Sequence, residues 1–191
     1  MTLLKNIFAS IGFLLVASII IGILLFGPKL SKLDTQALPE YIKMFTSAVQ
    51  TGDPAKSLIR KVKMQIPQGM TKKEAIANAI KIMDTVAQEH GFRLIDYKTL
   101  ARSSGLYTHM RSYCSPTIAD TFLTHSREFI GFMPCRIGLI EEPNGDIYIY
   151  TMDMKLLIHG GYRLNDSMLS LANKVRSSMY EILDKAAKGE E

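Results

Sequence analysis

The chain has 191 residues, 21% of them charged and 47% hydrophobic, with a formal net charge of +5. Such a composition belongs to a folded domain and excludes a disordered chain; with only two cysteines, it also excludes a scaffold built from disulfides. The charge is uneven, with eleven Lys or Arg against five Asp or Glu in residues 53–111 and eight against eleven in residues 112–191. There is no run of four basic residues and no basic stripe interleaved with aromatics. The basic half therefore reads as a solvated face, with anionic lipid rather than nucleic acid as its acidic neighbour.

Residues 7–26 form a run of twenty without a charge. As a helix this run reaches about 30 Å, the thickness of a bilayer's hydrocarbon core, and Gly27-Pro28 is expected to end it. A cleaved signal peptide is usually shorter in its apolar part, and Phe-Gly-Pro-Lys is a poor cleavage site. Residues 1–30 are therefore read as an uncleaved transmembrane anchor in the lipid bilayer. Lys29, Lys32 and Lys43 beyond the span, against Lys5 before it, would by literal count keep the following chain in the cytoplasm. The short N-terminal tail argues the other way. The reading adopted is a single-pass protein of a bacterial inner membrane with a periplasmic globular domain.

Residues 31–56 read as a connector with one short helix. Pro39 suits a first helical position, Tyr41, Phe45 and Ala48 give an apolar side, and Thr51-Gly-Asp-Pro54 ends it. The globular domain, residues 57–188, opens with a strand over 58–66. There Leu58, Val62, Met64 and Ile66 share one parity, with Arg60 as the exception. Thr71-Lys-Lys-Glu74 is a capping box. The helix it starts carries Ile76, Ile80, Met83 and Ala87, and His90-Gly91 closes it. Strands are expected over 92–97 and 107–114. Ser115-Pro116 then starts a helix bearing Ile118, Ala119, Phe122 and Leu123. Residues 135–141 and 146–151 form a hairpin around Pro143-Asn144-Gly145. A last helix from about Asp166 carries the stripe Met168, Leu171, Val175, Met179, Ile182 and Ala186. This order predicts an α+β fold, an antiparallel or mixed sheet with helices on one face, and a free sheet face or edge that invites a homodimer.

Tyr113-Cys-Ser-Pro-Thr-Ile-Ala119 and Phe132-Met-Pro-Cys-Arg-Ile-Gly138, with the hairpin and closing helix that follow, resemble the family called domain of unknown function 302. Ser115 stands where that family typically has Asn, and Met154 where it often has Pro. The resemblance implies a compact, often dimeric α+β fold and no established reaction.

Chemistry has few candidates. Cys114 directly precedes a helix whose free N–H groups and dipole would lower its pKa. Cys135 follows Pro134 at a strand entry. The two can be a disulfide, a reversible dithiol, a two-thiolate metal site or two buried apolar side chains; their spacing matches no Cys-x-x-Cys signature. His109, His125 or His159, with a methionine such as Met133, Met152 or Met154, would complete a soft site for copper or haem iron. Ordinary polar roles for each histidine and core roles for the methionines compete with that reading. His90 reads as structural, at a helix C-terminus. No Walker loop, G-x-S-x-G, G-x-G-x-x-G or H-E-x-x-H occurs. The leading expectation is a membrane-anchored binding or accessory module. It would hold a metal, haem or sulfur species at Cys114/Cys135, with His109 and His125 nearby, and serve a membrane or redox protein partner. The alternatives are a thiol-based oxidoreductase or sulfur transferase using Cys114, and a purely structural subunit of a membrane complex.

Overall fold

The computed structural model describes residues 2–190. Helix α1 (Thr2–Leu30) is long and apolar enough to cross a membrane, and from Lys5 onward no part of it is covered by the rest of the chain. Ser18 donates to the Leu14 carbonyl at 2.7 Å, so its hydroxyl is satisfied within the helix. The helix does not stop at Gly27-Pro28 as expected but includes Pro28 and runs to Leu30. Proline removes only its own N–H. The turn beyond it still closes, with Ser31 N–H donating to the Gly27 carbonyl at 3.0 Å.

Helix α2 (Ala37–Thr51) begins two residues before Pro39, which therefore sits in the first turn, where N–H groups lack helical partners anyway. Gly52, at φ 65°, caps its end. The segment before it is tied to the globular domain. Leu33 bridges Tyr162, Asp34 N–H donates to the Gly161 carbonyl at 3.0 Å, and Arg163 N–H donates to the Lys32 carbonyl at 3.1 Å. The Asp34 carboxylate is buried against His159 Nδ1 at 3.1 Å. A backbone hydrogen bond from Gln36 holds the Asp34 pKa below the usual carboxylate value, with His159 adding to the effect.

A single turn, α3 (Ala55–Leu58), leads into strand β1 (Ile59–Lys63). Helix α4 (Lys72–Glu89) starts with both halves of the Thr71/Glu74 capping box. Strands β2 (Arg93–Thr99) and β3 (Thr108–Cys114) follow, then α5 (Pro116–His125) and a 3₁₀ segment (Arg127–Phe132). Strands β4 (Cys135–Glu141) and β5 (Ile147–Met152) make the expected hairpin, with Gly145 at φ 82°. The short α6 (Lys155–His159) and long α7 (Asp166–Lys188) complete the chain. The sheet has the order β1-β5-β4-β3-β2, and every pairing is antiparallel.

Strand alternation sorts the sheet into two faces. Val62, Ile137, Leu139, Ile147 and Ile149 turn to the side where α4 and α7 pack, and the core lies between. Arg60, the exception to the parity of β1, shares that side. Its guanidinium donates to both Asp184 oxygens, at 2.7 and 2.8 Å, and lies 4.3 Å from the Tyr180 ring centroid. The opposite face is uncovered. Met110, Gly138, Ile140, Tyr150 and Met152, with Phe132, line an open groove of about 530 Å³ there. Edge strand β2 is exposed along its length and carries a register shift at Leu94/Asp96, a bulge that blunts further pairing.

The covered face also holds charge. Asp84 of α4 receives Arg111 through Nη2 and, at 3.0 Å, through Nε; Tyr113 Oη donates to the same carboxylate at 2.8 Å. Tyr113 is wholly buried and the Arg111 side chain nearly so. Replacing Asp84 with Asn leaves that guanidinium without its counter-charge. The expected loss is roughly 2–3 kcal/mol in denaturant unfolding of the full chain in detergent, less than for a sealed pair because Asp84 is partly exposed. An unchanged midpoint would show that the pair contributes nothing net.

Candidate functional site

Cys135 is the first residue of β4, and its cross-strand partner is Tyr113, the residue before Cys114. The β3/β4 register therefore brings the two cysteines to the same end of the sheet. Both are free thiols and both line one apolar cavity of about 70 Å³. The cavity is roofed by Phe122 of α5 and Phe129 of the 3₁₀ segment, whose rings meet edge-to-face at 5.0 Å, and by Val175 of α7. Met133, Met152 and Met154 also line it. The 3₁₀ segment comes from residues 127–132, which have no periodic pattern of their own. It lies there because Phe129 completes the apolar lid that α5 leaves short.

Electrostatics at the thiols run opposite to the expectation for Cys114. Ser115 is the N-cap of α5 and Pro116 follows at the first turn, and burial raises the Cys114 pKa. Cys135 is buried more deeply; burial first, then the neighbouring Cys114, push it up to about 11. Both thiols hold their protons at neutral pH. The two sulfurs feel each other's charge, so the first to ionise makes the second harder to ionise.

The histidines lie elsewhere. His125 ends α5, exposed, with its ring 6.4 Å from that of Phe129. His109 is buried on the covered face of β3, five residues before Cys114 and so roughly 17 Å along the strand. Its Nε2 faces Arg111 Nη1 at 3.4 Å and its Nδ1 faces Thr99 Oγ1 at 3.0 Å. Arginine only donates, so Nε2 accepts and Nδ1 carries the proton of the neutral ring. Burial and the Arg111 charge lower its pKa and keep it neutral. His159 is taken by Asp34, and His90 Nε2 meets Glu181 at 3.0 Å. Among the described residues, no three of His, Cys, Asp and Glu gather as a metal-ligand group. Any ion at the cysteines would rely on sulfur alone.

Sequence reasoning missed Asp84 and Arg111. Asp84 sits four residues after Ile80 and beside Met83, at the border of the apolar stripe of α4, and that placement was its only signal. Through Tyr113, the Asp84 network reaches the cavity wall, because the ring that lines the cavity carries the hydroxyl held by Asp84.

An antiparallel five-stranded sheet, helices on one face and a thiol-lined cavity at the sheet's end define a small α+β domain carried behind an apolar helix. The family described as "Domain of unknown function DUF302" matches residues 69–186, and the chain belongs to it. A crystal structure of an uncharacterized conserved protein DUF302 from Bacillus stearothermophilus is similar, with a TM-score of 0.51 and 16% identity, covering 68% of this chain and 98% of that one. At that identity the likeness concerns the fold. No curated protein matches the chain.

Iodoacetamide should label the folded protein slowly at pH 8, Cys114 ahead of Cys135, because a pKa of about 11 leaves roughly a thousandth of Cys135 as thiolate. Mass spectrometry of timed samples, against the same protein in denaturant, reads this directly. A burst of Cys114 labelling would mean an activated thiol and a different site.

Proposed function

We propose that the chain is a membrane-anchored binding module whose dithiol cavity holds a soft monovalent metal ion, copper(I) being the best fit, as an accessory to a redox system of a bacterial inner membrane. The domain would stand on the periplasmic side of α1. The observation that carries this reading is that Cys114 and Cys135, both free, share one apolar cavity with Met133, Met152 and Met154. Thiolate and thioether donors select copper(I), and the walls around them are apolar. A cavity of about 70 Å³ suits an ion or a ligand of a few atoms. It lies far below the roughly 300–1,000 Å³ of pockets for drug-sized ligands, so haem does not fit. The raised thiol pKa values also disfavour the reading of Cys114 as an enzyme's nucleophile.

Binding to two protonated thiols releases two protons, so affinity must climb about 100-fold per pH unit while both remain protonated. Competition of the full chain in detergent against a chromophoric copper(I) chelator, between pH 6 and 8, should show one ion per chain and that slope. Cys135→Ser should lose the site. Equal copper uptake by wild type and the Cys114→Ser/Cys135→Ser variant would refute the proposal.

The uncovered sheet face supports a second part of the reading, a homodimer. Met110 of β3, Ile140 of β4 and Met152 of β5 line the groove there, beside the tyrosines of β5 and the lysines of β1. Ile140→Glu should convert a cross-linkable dimer in detergent to monomer without changing the circular dichroism spectrum; a wild type that is monomeric at all concentrations would exclude the pairing.

A further inference from the structure

Helix α2 has two unlike sides. Ala37, Met44 and Ala48 turn inward, Ala37 fully buried, and the helix packs beside α6, where Tyr41 Oη donates to the Gly160 carbonyl at 2.8 Å. Leu38, Tyr41, Ile42, Phe45 and Val49 turn outward and are 45–69% exposed. At 100° per residue these five fall within an arc of about 100°, an unbroken stripe along the helix. Helical spacing in the sequence puts Tyr41, Phe45 and Ala48 on one apolar side. In the fold, Ala48 packs inward, while Tyr41 and Phe45 belong to the exposed stripe.

We infer that α2 lies in the headgroup layer of the bilayer that α1 spans, with Leu38, Tyr41, Ile42, Phe45 and Val49 set among the outer ends of the acyl chains. This rests on the reading of α1 as a membrane anchor. Three observations choose lipid over another occupant. First, only residues 31–36 separate the two helices, and they are folded into turns: Lys32 N–H donates to the Lys29 carbonyl, Leu33 N–H to that of Leu30 and Ala37 N–H to that of Asp34. The stripe therefore begins where the span emerges from the hydrocarbon. Second, Lys29, Lys32, Lys43 and Lys56 are exposed, whereas the carboxylates of the same stretch, Asp34, Glu40 and Asp53, are buried or half-buried. The charge offered outward is positive and suits anionic headgroups. Third, α2 sets its exposed apolar arc beside a polar arc on which Lys43 is the exposed charge, the two-sided form of a helix that rests in the interface plane.

The chain has no tryptophan, so one can be placed as the sole reporter. Full-length Phe45→Trp, Gln50→Trp and Phe13→Trp variants are reconstituted into vesicles of phosphatidylcholine with a minor share of phosphatidylglycerol. The expected result is that F45W emits to the blue, loses most of its emission to lipid brominated near the headgroup end of the acyl chain, and resists aqueous iodide. Q50W, on the polar arc, should stay red-shifted and open to iodide, and F13W should be quenched by lipid brominated deep in the chain. F13W quenched as expected with F45W open to iodide overturns the inference and leaves the anchor standing. F45W shielded from both iodide and brominated lipid means that protein, such as a second copy, covers the stripe, and this also overturns it. F13W untouched by any brominated lipid removes the anchor reading, and the placement of α2 with it.

Discussion

Five antiparallel strands present two faces, and α4 and α7 cover one of them. That shortage of cover shapes the rest of the domain. The face under the two helices becomes the core, and aliphatic side chains of β4 and β5 there are fully buried. The other face keeps its apolar centre beneath open space. At the end of the sheet that carries the cysteines, α7 is joined by short pieces, α5, a 3₁₀ segment and α6. The cavity lined by both thiols lies beneath them and beside Val175 of α7.

The core is not purely apolar: Ser178 Oγ is buried there without a hydrogen-bond partner, whereas the polar groups around Asp84 satisfy one another. Arg111 lies on the covered face because Asp84 reaches down from α4 to meet it, and Tyr113 shares the same carboxylate. The network extends through His109 to Thr99 and so joins three elements, α4, β3 and β2. Strand β2 has few apolar contacts of its own, being exposed throughout. Directional hydrogen bonds supply the register that burial alone would leave loose there.

Elements with a long period were legible in the sequence. The stripe of α7, the capping box of α4 and the hairpin at Gly145 appear in the fold close to where the pattern placed them, because each depends on local spacing or local turn chemistry. Short α3, α6 and the 3₁₀ segment were illegible. Each is a turn or two, held by what it packs against. Arg60 looked like an error of parity until Asp184, 124 residues away, came into contact with it. The two cysteines carried a visible motif, but their shared cavity follows from the pairing of Tyr113 with Cys135, which no local pattern encodes. The helix terminus after Cys114 is legible in the sequence; the burial of the thiol is not. Depth of burial is a property of the assembled fold, and here it raises the Cys114 pKa.

The junction between α1 and the domain has a mechanical meaning. A bridge at Leu33, three backbone bonds and the enclosed Asp34–His159 pair leave no slack in the six residues after the helix. With α1 in a bilayer, the domain has no stalk on which to sweep through solvent. It keeps one height and one tilt, and it meets other molecules by drifting in two dimensions. A molecule that met the domain there would do so at that same altitude above the leaflet.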